Sequence, residues 1–461
     1  MSLKPISMTS LIEIGPELVW LQPSKGTKAT AFFRTATGAV QTRQITDLEL
    51  EFLECADGSK SKSEIGIDLG ITAEQFDEVF QGIVRWAPKA LGVRNSDADA
   101  AQKRHNSIAA AVELRDIWAA MSAKKDDNDQ FHKTGIDDAP RQFDTIETTI
   151  SHCYREPTKA LQNRTYGEAF CDWLLKQDWL KPHAKIMEVG CGLGYFANAV
   201  LTALSQHRPE IYGTITYTMF DLSPDLAKSQ RQTCNAHLDK IRFLHGNIET
   251  FEFGDERFDT IISNEVIADL SVETFDSAEV QTHKPTSEAA RLALAYDLEL
   301  PATIKGPNAR AVLNVGAIHF VETIARCLSE NGKAILTEYG TLDGSPKAVH
   351  FINHQEFTVQ FSHLVQVAQQ NDLQTDLQKL GDMLDFDRNY APLDIASFHI
   401  LSDAVLPYLD KPPLPNIAYS YEMLKAELGS DLDRIRNLMF RPLSHPQSFT
   451  PFRFYALTLE R

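Results

Sequence analysis

The residue pattern with the clearest chemical meaning is Glu188-Val-Gly190-Cys-Gly192-Leu-Gly194, which ends an apolar run and opens a helical pattern. Glycines at this spacing let the backbone turn sharply and approach a ligand without an intervening Cβ. The first amides of the following helix can then donate hydrogen bonds to a carboxylate or phosphate. Dinucleotide-binding dehydrogenases have their third glycine one residue later, where this chain has Tyr195. Because Glu188 suits the ammonium end of a methionine better than a pyrophosphate, we expect S-adenosylmethionine as the cofactor; the alternative is a tight turn that binds nothing.

The ends of the next three apolar runs supply further candidates for the cofactor site. Asp221 and Leu222 end the second run, and an acid there can accept hydrogen bonds from both ribose hydroxyls. Asn247 and Ile248 end the third, where a polar and an aliphatic side chain could hold the edge and the face of an adenine. Asn264 ends the fourth run and opens onto the same edge of a parallel sheet. The alternative for Asp221 is a surface residue that caps the next helix.

Three acidic residues are candidates for the side of the site that holds the methyl acceptor. Methyl transfer from a sulfonium is an in-line displacement, which needs an acceptor lone pair held close and aligned. If the acceptor is a nitrogen, the enzyme must also orient or deprotonate it. Glu265, Asp269 and Glu338, with Tyr339 beside the last, are predicted to do this as catalytic residues. The alternatives are that Glu265 caps a following helix and that Glu338 is a solvated loop acid.

Composition narrows the possible partners and the compartment. The 461 residues carry a net charge of −18, which argues against binding of nucleic acid or of an anionic membrane. The six cysteines include no CxxC pair, and His350 and His354 lie in a loop-like segment, so we expect no metal site and a reduced chain. The first residues resemble no secretory signal, and no apolar stretch reaches about 18 residues, so we expect a cytoplasmic protein.

The pattern of strands and helices that must position these residues changes along the chain. Residues 1–95 contain three β-like runs followed by three helical segments, which predict a small α+β domain of winged-helix type. Residues 96–145 are predicted to be a linker with one helix. From 146 to 461, strands alternate with helices, which predicts a Rossmann-like α/β fold with a mostly parallel sheet.

Residues 146–390 resemble the MidA-like methyltransferases related to the family of mitochondrial complex I assembly factor 7. The matching segments are TYGEAFCDWLL, EVGCGLG, YTMFDLSPDLAKSQRQ, SNEVIADLSVE, and TEYG followed by EFTVQFSHLVQVAQQNDL. Ser223, Pro224, Leu226 and Gln230 are the nearest equivalents of a fairly specific Ser-Pro-x-Leu-x3-Gln arrangement. The resemblance implies a class I methyltransferase that modifies a protein side chain, which is arginine in the mitochondrial branch.

The chain departs from that family at three places. Cys191 stands where the family commonly has proline, and Ala268-Asp-Leu-Ser271 replaces an Asp-Ala-Leu-Pro run that borders the substrate. An insertion at about residues 276–308 also lies where such enzymes vary their acceptor pocket. The pattern linked to arginine is therefore altered in this chain.

The N-terminal domain resembles the PqqD-like elements with which peptide-modifying enzymes hold the leader of a ribosomally made precursor. The resemblance lies in ITDLELEFLECADGSKSKSEIGIDLGITAEQF, where Asp57-Gly58 separates two helices. It implies a methyltransferase that acts on such a peptide or protein. A homodimer is the expected alternative to a monomer. The alternatives are a protein arginine methyltransferase with an unrelated added domain, and a winged-helix regulator that uses the cofactor fold as a sensor. A regulator that binds DNA is disfavoured, because residues 1–100 contain 14 acidic and 10 basic residues.

Overall fold

The computed structural model describes residues 6–23, 28–35, 39–88, 90–94, 157–300, 310–350, 355–414, 418–445 and 451–461. The predicted linker at 96–145 lies outside the described residues, as does the end of the predicted insertion. The described residues form two compact units. The first unit contains the residues up to 94 together with 390–445, and the second contains 157–389 together with 451–461.

The described strands are β1 (Leu11–Ile14), β2 (Leu18–Leu21), β3 (Thr30–Arg34), β4 (Val40–Gln44), β5 (Asp57–Ser61), β6 (Leu91–Arg94), β7 (Lys185–Val189), β8 (Thr216–Asp221), β9 (Ile241–His245), β10 (Phe258–Asn264), β11 (Glu273–Asp276), β12 (Arg310–Leu313), β13 (Leu328–Thr341), β14 (Ala348–His350), β15 (Gln355–Phe357), β16 (Val359–Gln360), β17 (Gln374–Lys379), β18 (Ile435–Arg436) and β19 (Phe454–Glu460). The α-helices are α1 (Asp47–Cys55), α2 (Lys62–Leu69), α3 (Ala73–Trp86), α4 (Tyr166–Lys176), α5 (Tyr195–His207), α6 (Pro209–Tyr212), α7 (Ala227–Thr233), α8 (Ser277–Gln281), α9 (Glu288–Ala295), α10 (Val315–Cys327), α11 (Phe361–Gln370), α12 (Leu380–Met383), α13 (Ile395–Ile400), α14 (Leu406–Tyr408) and α15 (Tyr421–Leu428).

The second unit is built on one sheet with the strand order β17-β19-β13-β10-β7-β8-β9. The pairs from β9 through β8, β7 and β10 to β13 are parallel, and β19 runs antiparallel to both of its neighbours. The strand order reverses beside β7, and ligands bind at such a switch point outside the carboxyl ends of the strands. The predicted Rossmann-like fold is confirmed, and its switch point lies at the glycine loop.

The core of this unit explains why the predicted insertion is not a loose loop. Helix α9 contributes buried alanines and a leucine to the same apolar cluster as β10, α10 and β13. Strand β11 pairs with β12 in an antiparallel register from Glu273–Leu313 to Asp276–Arg310. The described part of the insertion is therefore a packed element that borders the sheet.

The first unit contains the three predicted strands followed by the three predicted helices. Each helix begins with a capping box, formed by Thr46 with Glu49, Ser61 with Glu64, and Thr72 with Gln75. Strands β2, β3 and β4 form an antiparallel sheet, and β1, β5 and β6 form a second sheet that the sequence pattern did not predict. The small N-terminal α+β domain is confirmed.

The sequence predicted one continuous domain from 146 to 461, and this prediction is wrong, because β18 belongs to the first unit. Ile435 pairs with Leu21 and Arg436 with Trp20, so β18 extends the N-terminal sheet beside β2. The physical reason is that both faces of this sheet are apolar. Leu18, Trp20, Ala31 and Phe33 pack on the side of α1–α3, whereas Val19, Leu21 and Phe32 pack with α13–α15 and their neighbours.

No helix in the described part of the chain is both long and apolar enough to cross a membrane.

Candidate active site

The glycine loop follows β7 and has a backbone that favours glycine at every predicted position. Gly190, Gly192 and Gly194 have φ angles of 74°, 50° and 83°, and Gly194 is the N-cap of α5. A Cβ at Gly190 would lie 2.2 Å from Val266 Cγ2, whereas a Cβ at Gly192 would have no neighbour within 4 Å. Packing against Val266 therefore leaves no room for a side chain at Gly190, whereas Gly192 faces open space where a ligand can approach.

Glu188 lies just before this loop and is only 2% exposed. The hydroxyl of Tyr217 donates a hydrogen bond of 2.7 Å to its Oε2 atom. Burial raises the pKa of Glu188 to about 8, the hydrogen bond from Tyr217 opposes that change, and the charge of Asp221 adds to it. Glu188 is a buried acid that, among the described residues, has no ion-pair partner. Sequence reasoning did not assign a role to Tyr217.

Asp221 ends β8 next to the loop and is also buried. Its Oδ2 atom accepts a hydrogen bond of 3.1 Å from the amide of Gly192, and its Oδ1 atom accepts one of 3.0 Å from the amide of Ser223. Burial raises the pKa of Asp221, and these backbone hydrogen bonds partly offset that effect. Asp221 therefore fixes the position of the glycine loop as well as lying at the switch point.

Gln230 of α7 completes this corner and was not among the predicted site residues. Its Nε2 atom donates to the carbonyl of Gly192 at 3.0 Å and lies 3.3 Å from Asp221 Oδ2. Its Oε1 atom is buried and has no hydrogen-bond partner within the described chain. The spacing of Gln230 after Ser223-Pro224 was the sequence signal that could have identified it.

The third strand end differs from the first two in exposure. Asn247 is exposed, and its Oδ1 atom accepts a hydrogen bond of 2.9 Å from the amide of Glu249. Ile248 is buried in the core of the second unit, and Leu222 on the neighbouring strand end is half-buried. These residues border the same edge as Asp221, because β8 and β9 are parallel and paired up to Asp221–His245.

Asn264 and Glu265 lie where β10 meets β13. The Oδ1 atom of Asn264 accepts hydrogen bonds from the hydroxyl of Tyr166, at 2.8 Å, and from that of Thr337. Glu265 has a φ of 54°, in the left-handed region, and its amide donates to the carbonyl of Thr337 at 2.9 Å. A turn follows Glu265 instead of a helix, so the helix-cap alternative does not apply.

Glu338 is buried beside this turn and is not the solvated loop acid of the alternative interpretation. Its carboxylate accepts hydrogen bonds from the amides of Ala268, at 3.3 Å, and Tyr339, at 2.8 Å. Burial raises the pKa of Glu338 well above its usual range, and the charges of Glu356 and Glu265 raise it further. The structure therefore brings Glu265 and Glu338 together and adds Glu356, which sequence reasoning missed.

Tyr339 and Asp269 belong to the same acidic region. The Tyr339 hydroxyl donates to Glu356 Oε2 at 2.9 Å. Burial raises the pKa of Tyr339, and the charges of Glu356, Glu338 and Asp269 contribute. Asp269 lies in the turn after Glu265, with its amide bonded to the carbonyl of Val266. All three predicted acceptor-side acids thus lie near the carboxyl ends of β10 and β13.

Metal ligands do not group in the described part of the chain, where no three His, Cys, Asp or Glu side chains are arranged to hold an ion. His354 and the side chain of His350 lie outside the described residues.

A comparison with protein families decides the cofactor. Residues 165–360 match the family described as "Putative S-adenosyl-L-methionine-dependent methyltransferase". That segment contains the glycine loop, Asp221, Asn264 and both of the buried acids Glu188 and Glu338. The chain is an S-adenosylmethionine-dependent methyltransferase. The residues also fit this cofactor. The space beside Gly192 is open, and Gln230 Oε1, beside Asp221, is buried without a hydrogen-bond partner in the described chain. Glu188 is a buried acid that can pair with the ammonium group of the cofactor.

Solved structures match the methyltransferase at low sequence identity. One is an uncharacterised protein from Burkholderia thailandensis, 16% identical, with 77% of this chain and 92% of that chain covered and a TM-score of 0.40. A second solved structure from the same organism, bound to S-adenosyl-homocysteine, is 17% identical with the same coverage and a TM-score of 0.39. A TehB-like S-adenosylmethionine-dependent methyltransferase from Corynebacterium glutamicum is 16% identical, covers 48% of this chain and 80% of its own, and has a TM-score of 0.27. No curated protein matches the chain.

Proposed function

We propose that this methyltransferase modifies a side chain of a peptide or protein, and that the natural substrate is a ribosomally made precursor whose leader binds to the first unit. The observation that carries the proposal is the unpaired edge of strand β4 in the described sheet.

The cofactor assignment follows the geometry of the switch point. S-adenosylmethionine supplies a methyl group on its sulfonium when it is bound. Glu188 would hold the ammonium group, the amides at the start of α5 would face the carboxylate, and Asp221 with Gln230 would bind the ribose hydroxyls. Asn247 and Ile248 would border the adenine, and Asn264 would close the site beside the sulfonium.

The acidic residues at the ends of β10 and β13 favour an acceptor nitrogen that carries or loses a proton. Glu265 is held in a left-handed conformation whose backbone is fixed by Thr337, so its carboxylate is presented from a rigid turn. Glu265 would orient the nitrogen and accept its proton, with Asp269 supplying negative potential beside it. Glu338, whose raised pKa favours the protonated acid, would help to orient the acceptor. A protein arginine methyltransferase is the second candidate, because a guanidinium would be stabilised by the same carboxylates.

The hydrogen-bond register of the small sheet supports peptide binding at strand β4. The described sheet has two edges, the two-residue strand β18 beside β2 and the five-residue strand β4 beside β3, so β4 is the longer edge. The amide of Ile45 donates a hydrogen bond to the carbonyl of Ala29, and the amide of Thr35 donates one to the carbonyl of Ala39. In an antiparallel ladder, hydrogen-bonded and non-hydrogen-bonded residue pairs alternate along the strands. The pair of Thr42 with Phe32 is therefore non-hydrogen-bonded, and the amide of Thr42 points away from β3. The side chain of Thr42 is exposed as well.

An extended peptide can therefore add to β4 through main-chain hydrogen bonds, the mode in which an exposed sheet edge recognises a strand. Replacement of Thr42 by proline tests this, because proline removes the outward amide and is tolerated at a sheet edge. Thr42→Val is the matched control that keeps the amide. We expect Thr42→Pro to raise the KM for a full-length precursor by about 2- to 10-fold, the value of one hydrogen bond, with turnover of a short core peptide unchanged.

Intact-mass analysis after incubation with any short peptide encoded beside the gene, followed by fragmentation, would identify the methylated residue. Equal KM values for the precursor and for its leaderless core would contradict the peptide proposal. Methylation of a folded protein's arginine, with no activity on the precursor, would establish the second candidate instead.

A further inference from the structure

Tyr217 lies on β8, and its side chain is fully buried. Strands β7 and β8 are parallel neighbours in which Tyr217 is paired with Ile186 and Met219 with Glu188. The phenol hydroxyl therefore reaches along the adjacent strand to donate to Glu188 Oε2 at 2.7 Å. A buried hydroxyl needs a partner, and here the partner is the acid that precedes the glycine loop.

The surroundings of Glu188 disfavour its negative charge. The titratable groups that face it are Tyr217 and Asp221 from β8, Cys191 from its own loop and Cys234 from the end of α7. Burial raises the pKa of both thiols, that of Cys234 to about 12, so these two groups stay neutral. Asp221 is an acid and opposes a second negative charge. Tyr217 is thus the group in this set whose hydrogen bond favours the ionised form of Glu188.

We propose that Tyr217 is a positioning residue of the cofactor site, whose hydroxyl holds the Glu188 carboxylate in the orientation and charge state that the ammonium of S-adenosylmethionine requires. This inference rests on the proposed assignment of Glu188 to that ammonium. A phenol donates a hydrogen bond without carrying a positive charge. It therefore stabilises the Glu188 anion without competing with the ligand's ammonium group. A lysine or arginine at this position would carry a positive charge and would compete with it.

The experiment measures the Kd of S-adenosylhomocysteine by calorimetry between pH 6 and 9, with the full-length wild type, Tyr217→Phe, Glu188→Gln and the double variant. This ligand carries the ammonium group, and its own ionisation affects all four proteins alike. Affinity of the wild type should rise with pH as Glu188 ionises. Tyr217→Phe should move that rise to higher pH by about one unit, which makes binding about tenfold weaker at pH 7 and only about twofold weaker at pH 9.

Tyr212→Phe is the matched control, because the Tyr212 hydroxyl contacts His237 at 2.9 Å, away from Glu188. This variant should keep the wild-type profile. In the double variant, loss of the Tyr217 hydroxyl should add nothing to Glu188→Gln, since no carboxylate is left to position.

The outcomes separate this inference from the cofactor assignment. A Tyr217→Phe profile that equals the wild type, or that is weakened by one factor at every pH, overturns the positioning role. If Glu188→Gln weakens binding in either case, the cofactor assignment stands. If Glu188→Gln binds like the wild type at every pH, the assignment of Glu188 to the ammonium fails, and the inference fails with it.

Discussion

Replacement of Gly190 and of Gly192 by alanine separates the two functions that glycine serves in the cofactor loop. Both residues have a left-handed backbone, with φ angles of 74° and 50°. Their surroundings differ, because a Cβ at Gly190 would lie 2.2 Å from Val266 Cγ2, whereas a Cβ at Gly192 would have no neighbour within 4 Å. The two variants share a backbone cost, and only one of them has a steric cost as well.

The expected magnitudes follow from that difference. A left-handed conformation costs an L residue about 1–2 kcal/mol. Overpacking in a filled site typically adds about 1–3 kcal/mol, and the β-branched Val266 has little freedom to move away. The free energy of unfolding should therefore fall by about 1–2 kcal/mol in Gly192→Ala and by about 2–5 kcal/mol in Gly190→Ala.

Denaturant-induced unfolding of the ligand-free, full-length proteins measures these values, with Trp173 and Trp179 of the second unit as fluorescent probes. The Val266→Ala substitution completes a double-mutant cycle, because it removes the methyl groups that the new Cβ would meet. In the Gly190→Ala background, Val266→Ala should restore the unfolding free energy lost to the steric clash and leave the loss caused by the left-handed backbone. Two results would refute the assignment of Val266 as the residue that excludes a side chain at Gly190. One is equal stability of Gly190→Ala and Gly192→Ala, and the other is no gain in stability from Val266→Ala.

Asp221→Ala should weaken binding of S-adenosylhomocysteine by about 1.5–3 kcal/mol, the value of hydrogen bonds to a charged group, whereas the exposed Asp225→Ala on the same loop should not; an unchanged Kd would place the ribose elsewhere. Glu265→Gln should preserve that Kd and depress turnover, and a loss of cofactor binding with normal single-turnover chemistry would contradict its acceptor-side role. Burial raises the pKa of Glu338, so its contribution to stability is present at low pH and lost as the pH rises above the usual range of a glutamate. Glu338→Gln should therefore raise the unfolding temperature more at pH 9 than at pH 5, and an equal change at both pH values would contradict this.

The domain assignment shows where local pattern stops being informative. The strand-strand-strand, helix-helix-helix order of the first unit is visible in the sequence, because alternation and capping boxes are properties of neighbouring residues. The sequence pattern did not reveal that β2 and β3 are buried on both faces of the sheet. Val19, Leu21 and Phe32 are covered by residues beyond 390, a pairing that depends on how a distant segment returns to the sheet.

The sequence by itself determined the glycine loop and the strand ends of the cofactor site. Glycine is needed there because of the local backbone angle, and parallel strands bring their carboxyl ends to one edge. Only the tertiary structure decided which side chains set the charge of that site. Tyr217 reaches Glu188 from the neighbouring strand, and Glu356 acts on Glu338 from a separate hairpin. A pKa depends on burial and on charges close in space, and neither quantity is a property of spacing along the chain.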